Sequence, residues 1–225
     1  AGVPGDPNTW YFAAAQGGVW KSEDGGQKFK PIMDEAFTAS MGALAIAPSD
    51  PNVIYVGGGE ANPRGNVMLG HGIWKSADAG KTWEHVWKEK GQIGTVAVHP
   101  QNPDIAFAAV LGSPFAPSDA RGVYRTSDGG KTWQRMLHKD AVTGASDVAF
   151  DPNNPRVLYA GMWQFKRTPW QTTSGGPGSG LYRSEDGGTT WKALTGNGLP
   201  GGEWGKVGVA VAPSDSKRVY ALIEA

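Results

Sequence analysis

Small and β-branched residues alternate on either side of a Pro- and Asx-rich break four times along the chain: LAIAPSDPNVIYVGG at 44–58, VAVHPQNPDIAFAAV at 96–110, VAFDPNNPRVLYAGM at 148–162 and VAVAPSDSKRVYALI at 209–223. Alternation with period two marks a pleated strand with one face buried. The intervening Pro, Asp and Asn fix a turn through a locked φ and side-chain bonds to the backbone. Each segment therefore predicts a strand-turn-strand unit, strands A and B. Before the first of these units, and between each pair that follows, GVWKSEDGG, GIWKSADAG, GVYRTSDGG and GLYRSEDGG each predict an aromatic strand C running into a glycine turn. The residues after the turn, TWEHVW or TWQRML, predict a strand D.

The turn itself repeats as SEDGGQKF at 22–29, SADAGKTW at 76–83, TSDGGKTW at 126–133 and SEDGGTTW at 184–191. Its acids Asp24, Asp78, Asp128 and Asp186 lie 54, 50 and 58 residues apart, too far for a helical-hairpin repeat and right for a four-stranded propeller blade with loop insertions. The expected fold is all-β, a β-propeller of four-stranded antiparallel blades, about four in number. It forms one domain over 1–225, with repeats near 1–40, 41–92, 93–144 and 145–206 and a partial one at 207–225. AGVPGDPN at 1–8 matches the A-B turn, so the chain opens at strand B and closes on strands A and B. A closed small ring or an arc of a larger propeller would each accommodate this count, and the surplus strand favours the arc. Exposed terminal blades invite edge pairing, which a homo-oligomer or the remainder of a larger propeller chain would relieve. The turn acids read as structural: each carboxylate can accept bonds from its own turn's N–H groups while glycines allow positive φ. Trp83, Trp133 and Trp191 would cover the turns. A residue that recurs in every blade is a poor candidate for a catalyst or metal ligand, which occurs once.

The pattern S-x-D-x-G-x-T-W resembles the Asp-box, or bacterial neuraminidase (BNR), repeat of sialidases, xyloglucanases, a photosystem II assembly factor family and the Vps10 domain of sortilin. With GGVWKSEDGG, IYVGGGEANPRGN, GMWQFKRTPW and SGGPGSGLYRSEDGG around it, the chain is most similar to bacterial sortilin-like BNR-repeat proteins labelled glycosyl hydrolases. The resemblance covers the whole chain. It implies the propeller fold strongly and activity weakly, since enzymes and pure binding proteins share the repeat.

Composition narrows the partners. Lys and Arg total 21, as do Asp and Glu, so no global field draws the protein to nucleic acid, and no apolar run suits membrane insertion. Thirty-four Gly, 16 Pro and ten Trp fit short strands, tight turns and aromatic staples. Without cysteine there are no disulfides or thiolate metal sites, which leaves a secreted or periplasmic location open. The absence of an initial Met suggests a processed or excised segment. His71, His85, His99 and His138 lie one to a segment without ligand spacing, so no metal or cofactor is called for, although a structural calcium is compatible with the loop acids. GGGEANPRG lacks the Lys-Ser/Thr of a phosphate loop, and GPGSG at 176–180 lacks the strand-to-helix setting of a serine nucleophile.

Function falls to the connections that do not repeat. The B-C segments 57–72, 108–122 and 161–180 are long and mutually different, and variation on a regular scaffold is where binding roles arise. The third carries Trp163, Phe165, Lys166, Arg167 and Trp170, rings interleaved with cations that suit stacking on sugars or anchoring a protein, or that pack the loop on its own blade. The first offers Glu60, Asn62, Arg64, Asn66 and His71, as a ligand site or as an internal brace pairing Glu60 with Arg64. The second offers an Asp119–Arg121 salt bridge, and the D-A side brings Asp140, Glu203 and Trp204. A sialidase would need an Arg-Ile-Pro segment and an arginine triad that the sequence lacks. An inverting glycosidase needs two carboxylates about 6.5–9.5 Å apart. Glu60, Asp119, Asp140 and Glu203 are the acids available for it, with no spacing to pair them. The expected role is an extracellular or periplasmic binding module for a glycan or protein ligand. The alternatives are part of a xyloglucanase-like glycoside hydrolase and a structural fragment without its own activity.

Overall fold

The computed structural model of the chain describes residues 1–36, 40–62 and 66–225. It is all-β. The strands are β1 (Gly2–Val3), β2 (Asp6–Ala14), β3 (Gly18–Ser22), β4 (Lys30–Pro31), β5 (Met41–Ala47), β6 (Asp50–Gly58), β7 (His71–Ser76), β8 (Glu84–Lys90), β9 (Gln92–Val98), β10 (Ala106–Gly112), β11 (Gly122–Thr126) and β12 (Gln134–Leu137). They continue with β13 (Thr143–Asp151), β14 (Asn154–Arg167), β15 (Thr172–Ser174), β16 (Gly180–Ser184), β17 (Lys192–Leu194), β18 (Val207–Val211) and β19 (Val219–Ile223). Strand order follows chain order in each sheet: β1-β2-β3-β4, β5-β6-β7-β8, β9-β10-β11-β12, β13-β14-β16-β17 and β18-β19. These are propeller blades, with the A, B, C and D strands at the places the alternation predicts. Among the described residues no helix is long and apolar enough to cross a membrane.

The chain divides into two compact units, residues 1–106 with 126–133, and residues 107–125 with 134–225. In the first, Tyr11, Val19, Met33, Met41, Ile54, Val56 and Trp74 form the buried cluster. Alternation along β6 puts Ile54 and Val56 on that cluster while Tyr55 faces the other way, its hydroxyl donating to the Pro103 carbonyl at 3.1 Å. In the second, Val157, Tyr159, Leu181, Trp204, Val207 and Val209 play the same part, with β18 laid beside β13. One long connection departs from expectation. Residues 161–167, read from the sequence as loop, prolong β14 to fourteen residues, and β15 folds back on it with Phe165 opposite Ser174 and Arg167 opposite Thr172. The alternation Trp163, Phe165 against Gln164, Lys166 is a strand pattern, continued beyond the length shared by the other repeats.

Each signature turn closes on itself. Ser76 Oγ donates to Asp78 Oδ1 at 2.8 Å and accepts the Gly80 N–H at 2.8 Å. Asp78 accepts the Thr82 N–H at 2.8 Å and the Thr82 hydroxyl at 2.6 Å. The Thr126–Asp128–Thr132 and Ser184–Asp186–Thr190 turns repeat this pattern, with the Thr126 and Ser184 hydroxyls donating at 2.9 Å and the Thr132 and Thr190 hydroxyls at 2.7 Å. At 22–29 the threonine is replaced by Lys28, so Asp24 accepts the Gln27 and Lys28 N–H groups but no hydroxyl from that position. Phe29 takes the tryptophan's place, against Phe12 at 4.9 Å. The indoles fasten differently: Trp83 Nε1 donates to the Ile32 carbonyl at 2.8 Å and Trp191 Nε1 to Gly188 at 3.0 Å. Trp133 is half-buried, its Nε1 without a partner among the described residues.

Neighbouring blades are latched at the same turn. Tyr11 Oη donates to the Ala79 carbonyl at 3.1 Å, Lys75 Nζ to Gly129 at 3.0 Å and Arg125 Nη1 to Gly187 at 3.2 Å. In each case the acceptor is the residue directly after the turn's aspartate.

These bonds favour the carboxylate form. The Thr82 hydroxyl, then its N–H, lowers the Asp78 pKa to about 2, and Thr132 lowers Asp128 to about 2 in the same way. Asp186 is lowered by Thr190, and Asp24 by the Lys28 N–H and the Ser22 hydroxyl. Groups whose folded pKa lies below the unfolded value of about 3.9 contribute stability that is present above pH 4 and lost as pH falls toward 2. Unfolding midpoints are expected to be flat from pH 7 to 5 and to fall between pH 4 and 2. Amide exchange in that window should open the 22–29 turn, which lacks the hydroxyl bond, before the other three. Uniform opening of all four would refute the hydroxyl's contribution.

Candidate functional site

The connection between β14 and β16 and the segment between β17 and β18 converge in the second unit. Gly176 forms a β-bridge with Trp204, and the Gly176 N–H donates to the Trp204 carbonyl at 3.2 Å. Gln164 locks the base of the hairpin: its N–H donates to Ser179 Oγ at 2.9 Å, and its side-chain oxygen accepts the Gly178 N–H at 3.2 Å. Gly176 has φ +151°, and a Cβ there would stand 2.5 Å from the Gln164 amide, so glycine is what lets the two segments close. Beside this junction opens a cavity of about 440 Å³ lined by Ser179, Leu181, Tyr182, Leu194, Glu203 and Trp204 among others. Its walls combine an apolar floor, two aromatic side chains and one exposed carboxylate, the mixture that ligand pockets use to bury rings and orient hydroxyls.

From the junction the β14–β15 hairpin projects to a short turn at 168–171. The Thr168 N–H and hydroxyl both donate to the Gln171 carbonyl, at 2.8 and 3.1 Å, and the Gln171 N–H returns a bond to Thr168 Oγ1 at 3.1 Å. With Pro169 inside it, this turn is stiff. It displays Trp170, 83% exposed, the most exposed large hydrophobic side chain among the described residues.

The other residues singled out from the sequence lie as follows. Trp163 and Phe165, on the opposite face of β14 from Lys166, are each 2% exposed and pack together at 4.4 Å. Trp163 Nε1 donates to Ser174 Oγ at 2.9 Å, and the Lys206 ammonium lies 5.5 Å over its ring. They anchor the hairpin and leave its display to Trp170. Arg167 is half-buried; its guanidinium reaches Thr172 at 3.5 Å and its N–H bonds the Pro114 carbonyl at 2.7 Å. Trp204 is 8% exposed and ties Nε1 to the Pro200 carbonyl at 3.0 Å. Glu60 belongs to the first unit, is 4% exposed, and takes a 3.2 Å bond from Ser40 Oγ beside a bond from its N–H to Gln92. Arg64, its expected brace, lies outside the described residues. Asp119 and Asp140 are exposed. Asp140 caps its loop by accepting the Val142 and Thr143 N–H groups at 2.9 and 2.7 Å. Burial pushes its carboxyl up, and these bonds more than reverse that, holding it below its ordinary value.

The expected Asp119–Arg121 salt bridge does not form. Arg121 is 1% exposed, and its Nη2 is spent on the carbonyls of Ser113 at 2.5 Å, Phe165 at 3.3 Å and Ala116 at 3.5 Å. Nε and Nη1 have no partner among the described residues, and burial lowers the guanidinium pKa to about 10. The Asp119 main-chain oxygen instead accepts Arg135 Nη1. A charge walled in by carbonyls holds loop 113–118 against the hairpin strand, a role that spacing alone cannot reveal.

Two participants were not singled out from the sequence. Tyr182 sits at the aromatic place of strand C that Trp20, Trp74 and Tyr124 also fill, so the repeat disguises it as scaffold. Ser179 lay inside a glycine-rich run that reads as flexible linker. Among the described residues no three of His, Asp and Glu gather as a metal site requires. His85 stacks on Trp74 at 4.2 Å, and His138 Nδ1 lies 3.1 Å from the Arg121 carbonyl.

The Sortilin-Vps10 family model, described as sortilin, neurotensin receptor 3, matches residues 71–221. Xyloglucanase Xgh74A of Acetivibrio thermocellus is 26% identical over 215 residues, covering 86% of this chain and 19% of the relative. The oligoxyloglucan-reducing end-specific xyloglucanase of Emericella nidulans is 29% identical over 99 residues, 43% of this chain and 12% of that protein. The chain thus spans about a fifth or less of the curated relatives it matches. Among solved structures, an ancestral GH74 enzyme superposes with TM-score 0.72 at 20% identity, covering 99% of this chain and 28% of that one. The GH74 enzyme of Niastella koreensis gives 0.69 at 23% identity, covering 97% and 32%. At these identities the structural likeness speaks for the fold.

Proposed function

This chain belongs to the Sortilin-Vps10 family, and from that premise we propose that it works as a glycan-binding propeller segment outside the cytoplasm, seating a polysaccharide in the cavity beside Trp204 and along the β14–β15 hairpin. One observation carries the reading: an open cavity with aromatic walls and a carboxylate adjoins a stiff hairpin whose tip holds a tryptophan 83% exposed. Exposing an indole on an ordered turn forgoes the burial that Trp163 obtains seven residues earlier on β14. A sugar face offers the flat apolar partner such a ring accepts, and Glu203 and Tyr182 offer acceptors and a donor for hydroxyls. The similar relatives are named for xyloglucan and for the reducing end of oligoxyloglucan, which agrees with a glycan as ligand.

Binding is favoured over hydrolysis within this segment. Inversion or retention at a glycosidic bond takes two carboxyl groups across the ligand, and Glu203 is the one acid among the residues lining this cavity. Trp170→Ala is expected to weaken polysaccharide binding about ten- to thirtyfold, measured by affinity electrophoresis or calorimetry, with an unchanged unfolding midpoint. Glu203→Gln, which keeps an acceptor and removes the charge, should leave binding within about threefold. Reducing-sugar release by the unaltered chain that disappears in Glu203→Gln would overturn the binding role in favour of catalysis, and undiminished binding by Trp170→Ala would remove the hairpin from the site.

A further inference from the structure

Asparagine followed by glycine occurs once in the chain, at Asn197–Gly198, in the segment between β17 and β18. The Leu199 N–H donates to the Gly196 carbonyl at 3.0 Å, and φ is +51° at Asn197 and +86° at Gly198, so the pair holds the two central places of a type I′ turn. Both residues are exposed, and a Cβ on Gly198 would meet nothing within 4 Å. Neither the Asn197 amide nor the Gly198 N–H has a hydrogen-bond partner among the described residues. An unhindered peptide nitrogen thus follows an unengaged carboxamide, and these are the two groups that close a five-membered imide. Elsewhere that closure is obstructed. Asn62, Asn102 and Asn154 precede proline, which has no N–H, and Asn8, Asn52 and Asn66 precede β-branched residues. Asn153 precedes Asn154 and spends its Nδ2 on the Pro213 carbonyl at 2.9 Å and on Ser216 Oγ at 3.0 Å. The three Asp-Gly pairs of the signature turns are tied at both groups. The N–H groups of Gly25, Gly129 and Gly187 donate to the carbonyls of Asn8, Asp104 and Arg156 at 2.9, 3.0 and 2.8 Å, while Asp24, Asp128 and Asp186 accept bonds from their own turns.

We infer that Asn197 is a self-modifying site, at which the chain converts its own amide to a mixture of isoaspartate and aspartate beside the cavity. The Gly198 nitrogen attacks Asn197 Cγ. The N–Cγ bond forms, the Cγ–Nδ2 bond breaks, and ammonia leaves with the proton that the Gly198 nitrogen gives up. Water then opens the imide. Addition at Cγ breaks the new bond and gives aspartate, whereas addition at the Asn197 main-chain carbonyl breaks the original peptide bond and gives isoaspartate, whose main chain runs through Cβ and Cγ. No oxidant, reductant or enzyme enters. The turn opposes the attack with a single exposed hydrogen bond, whose opening slows the reaction about tenfold at most. Gly196 and Pro200, on either side of the pair, line the cavity together with Glu203. Either product therefore adds a carboxylate to the loop that borders Glu203, and isoaspartate also lengthens the main chain of that loop by a methylene. The reaction needs nothing bound in the cavity, so it stands apart from the glycan-binding reading.

The test incubates the folded chain, and the same chain unfolded in guanidinium chloride, at mildly alkaline pH. Trypsin releases Asn197 in the peptide Ala193–Lys206, which holds no other asparagine. Chromatography with mass spectrometry is expected to show two products of one mass, isoaspartate and aspartate, forming in the folded chain within about tenfold of the unfolded rate. Conversion at Asn197 should run on the order of tenfold ahead of any other asparagine, because only here is the following residue without a Cβ. Since Lys and Arg balance Asp and Glu at 21 each, isoelectric focusing should resolve the converted chain as a new acidic band. Asn197→Gln, whose longer side chain would have to close a six-membered ring, should remove that band. Gly198→Ala keeps the amide and crowds the attacking nitrogen, and should slow conversion about tenfold in the folded and the unfolded chain alike. Aspartate formed without isoaspartate would mean direct hydrolysis by water and would refute attack by Gly198. A folded chain slower than the unfolded one beyond that tenfold margin, or equal conversion at the other asparagines, would overturn the assignment as well.

Discussion

Replacing Gly161 with alanine is expected to cost about 3 kcal/mol, lowering the unfolding midpoint by about 6–12 °C. Gly161 lies in β14, and a Cβ there would stand 2.5 Å from the Val207 carbonyl oxygen and 3.1 Å from Ser146 Oγ. That hydroxyl spans the two blades, donating toward the Gly161 carbonyl at 3.2 Å and the Val207 carbonyl at 2.7 Å. The obstacle is main chain, which cannot rotate aside, so β14 and β18 must separate and the serine bridge must stretch with them. Overpacking normally costs 1–3 kcal/mol, and an immovable neighbour places this site at the upper end. A denaturant midpoint showing a loss below about 1 kcal/mol would mean that the strands have slack.

Arg121→Ala is expected to cost about 4 kcal/mol, and Arg121→Met less than half as much. Two opposed effects decide this. Removing the guanidinium strands the carbonyls of Ser113, Ala116 and Phe165, at about 1–3 kcal/mol for each one cut off from water. It also relieves the desolvation of a charge that has no carboxylate bonded to it among the described residues and that the field of Asp140 only partly offsets, and the lowered pKa records that penalty; relief of this kind is worth several kcal/mol. The two nearly cancel, so methionine, which keeps most of the volume, loses little. Alanine adds a cavity in a site 1% exposed, at about 2–5 kcal/mol. Both variants release loop 113–118 from the hairpin strand, and both should bind polysaccharide more weakly. Equal destabilisation by the two would show that the carbonyl bonds, rather than filled space, set the cost.

The blade order, the A-B and C-D turns and the function of Asp24, Asp78, Asp128 and Asp186 were legible because each is encoded by residues within about ten positions of one another. What was not legible depends on neighbours distant in sequence. Gly57, Ala109 and Gly161 hold the same place in three repeats, yet a Cβ at Gly57 would meet Ile93 at 2.5 Å and one at Gly161 would meet the Val207 backbone, while Ala109 carries its Cβ fully buried. No local pattern announces which of the three must be glycine. The third B-C connection was legible as aromatic and cationic but not as a strand extension. The assignment of display to Trp170 and burial to Trp163 came from the pairing of β14 with β15. Arg121 looked like half of an ion pair because Asp119 is two residues away, and in the fold its partners are carbonyls.

The latch between blades has a consequence for how such chains grow. Tyr11, Lys75 and Arg125 differ in chemistry, yet each donates to a main-chain carbonyl, and always to the residue after the turn's aspartate. A carbonyl is present whatever side chain stands there, alanine at 79 and glycine at 129 and 187. The joint therefore asks its neighbour for a backbone shape and for no particular residue. A gene encoding one blade could be duplicated, lost or exchanged without rewriting the contact on either side, leaving the connecting loops to diverge toward new ligands while the frame accepts each arrival.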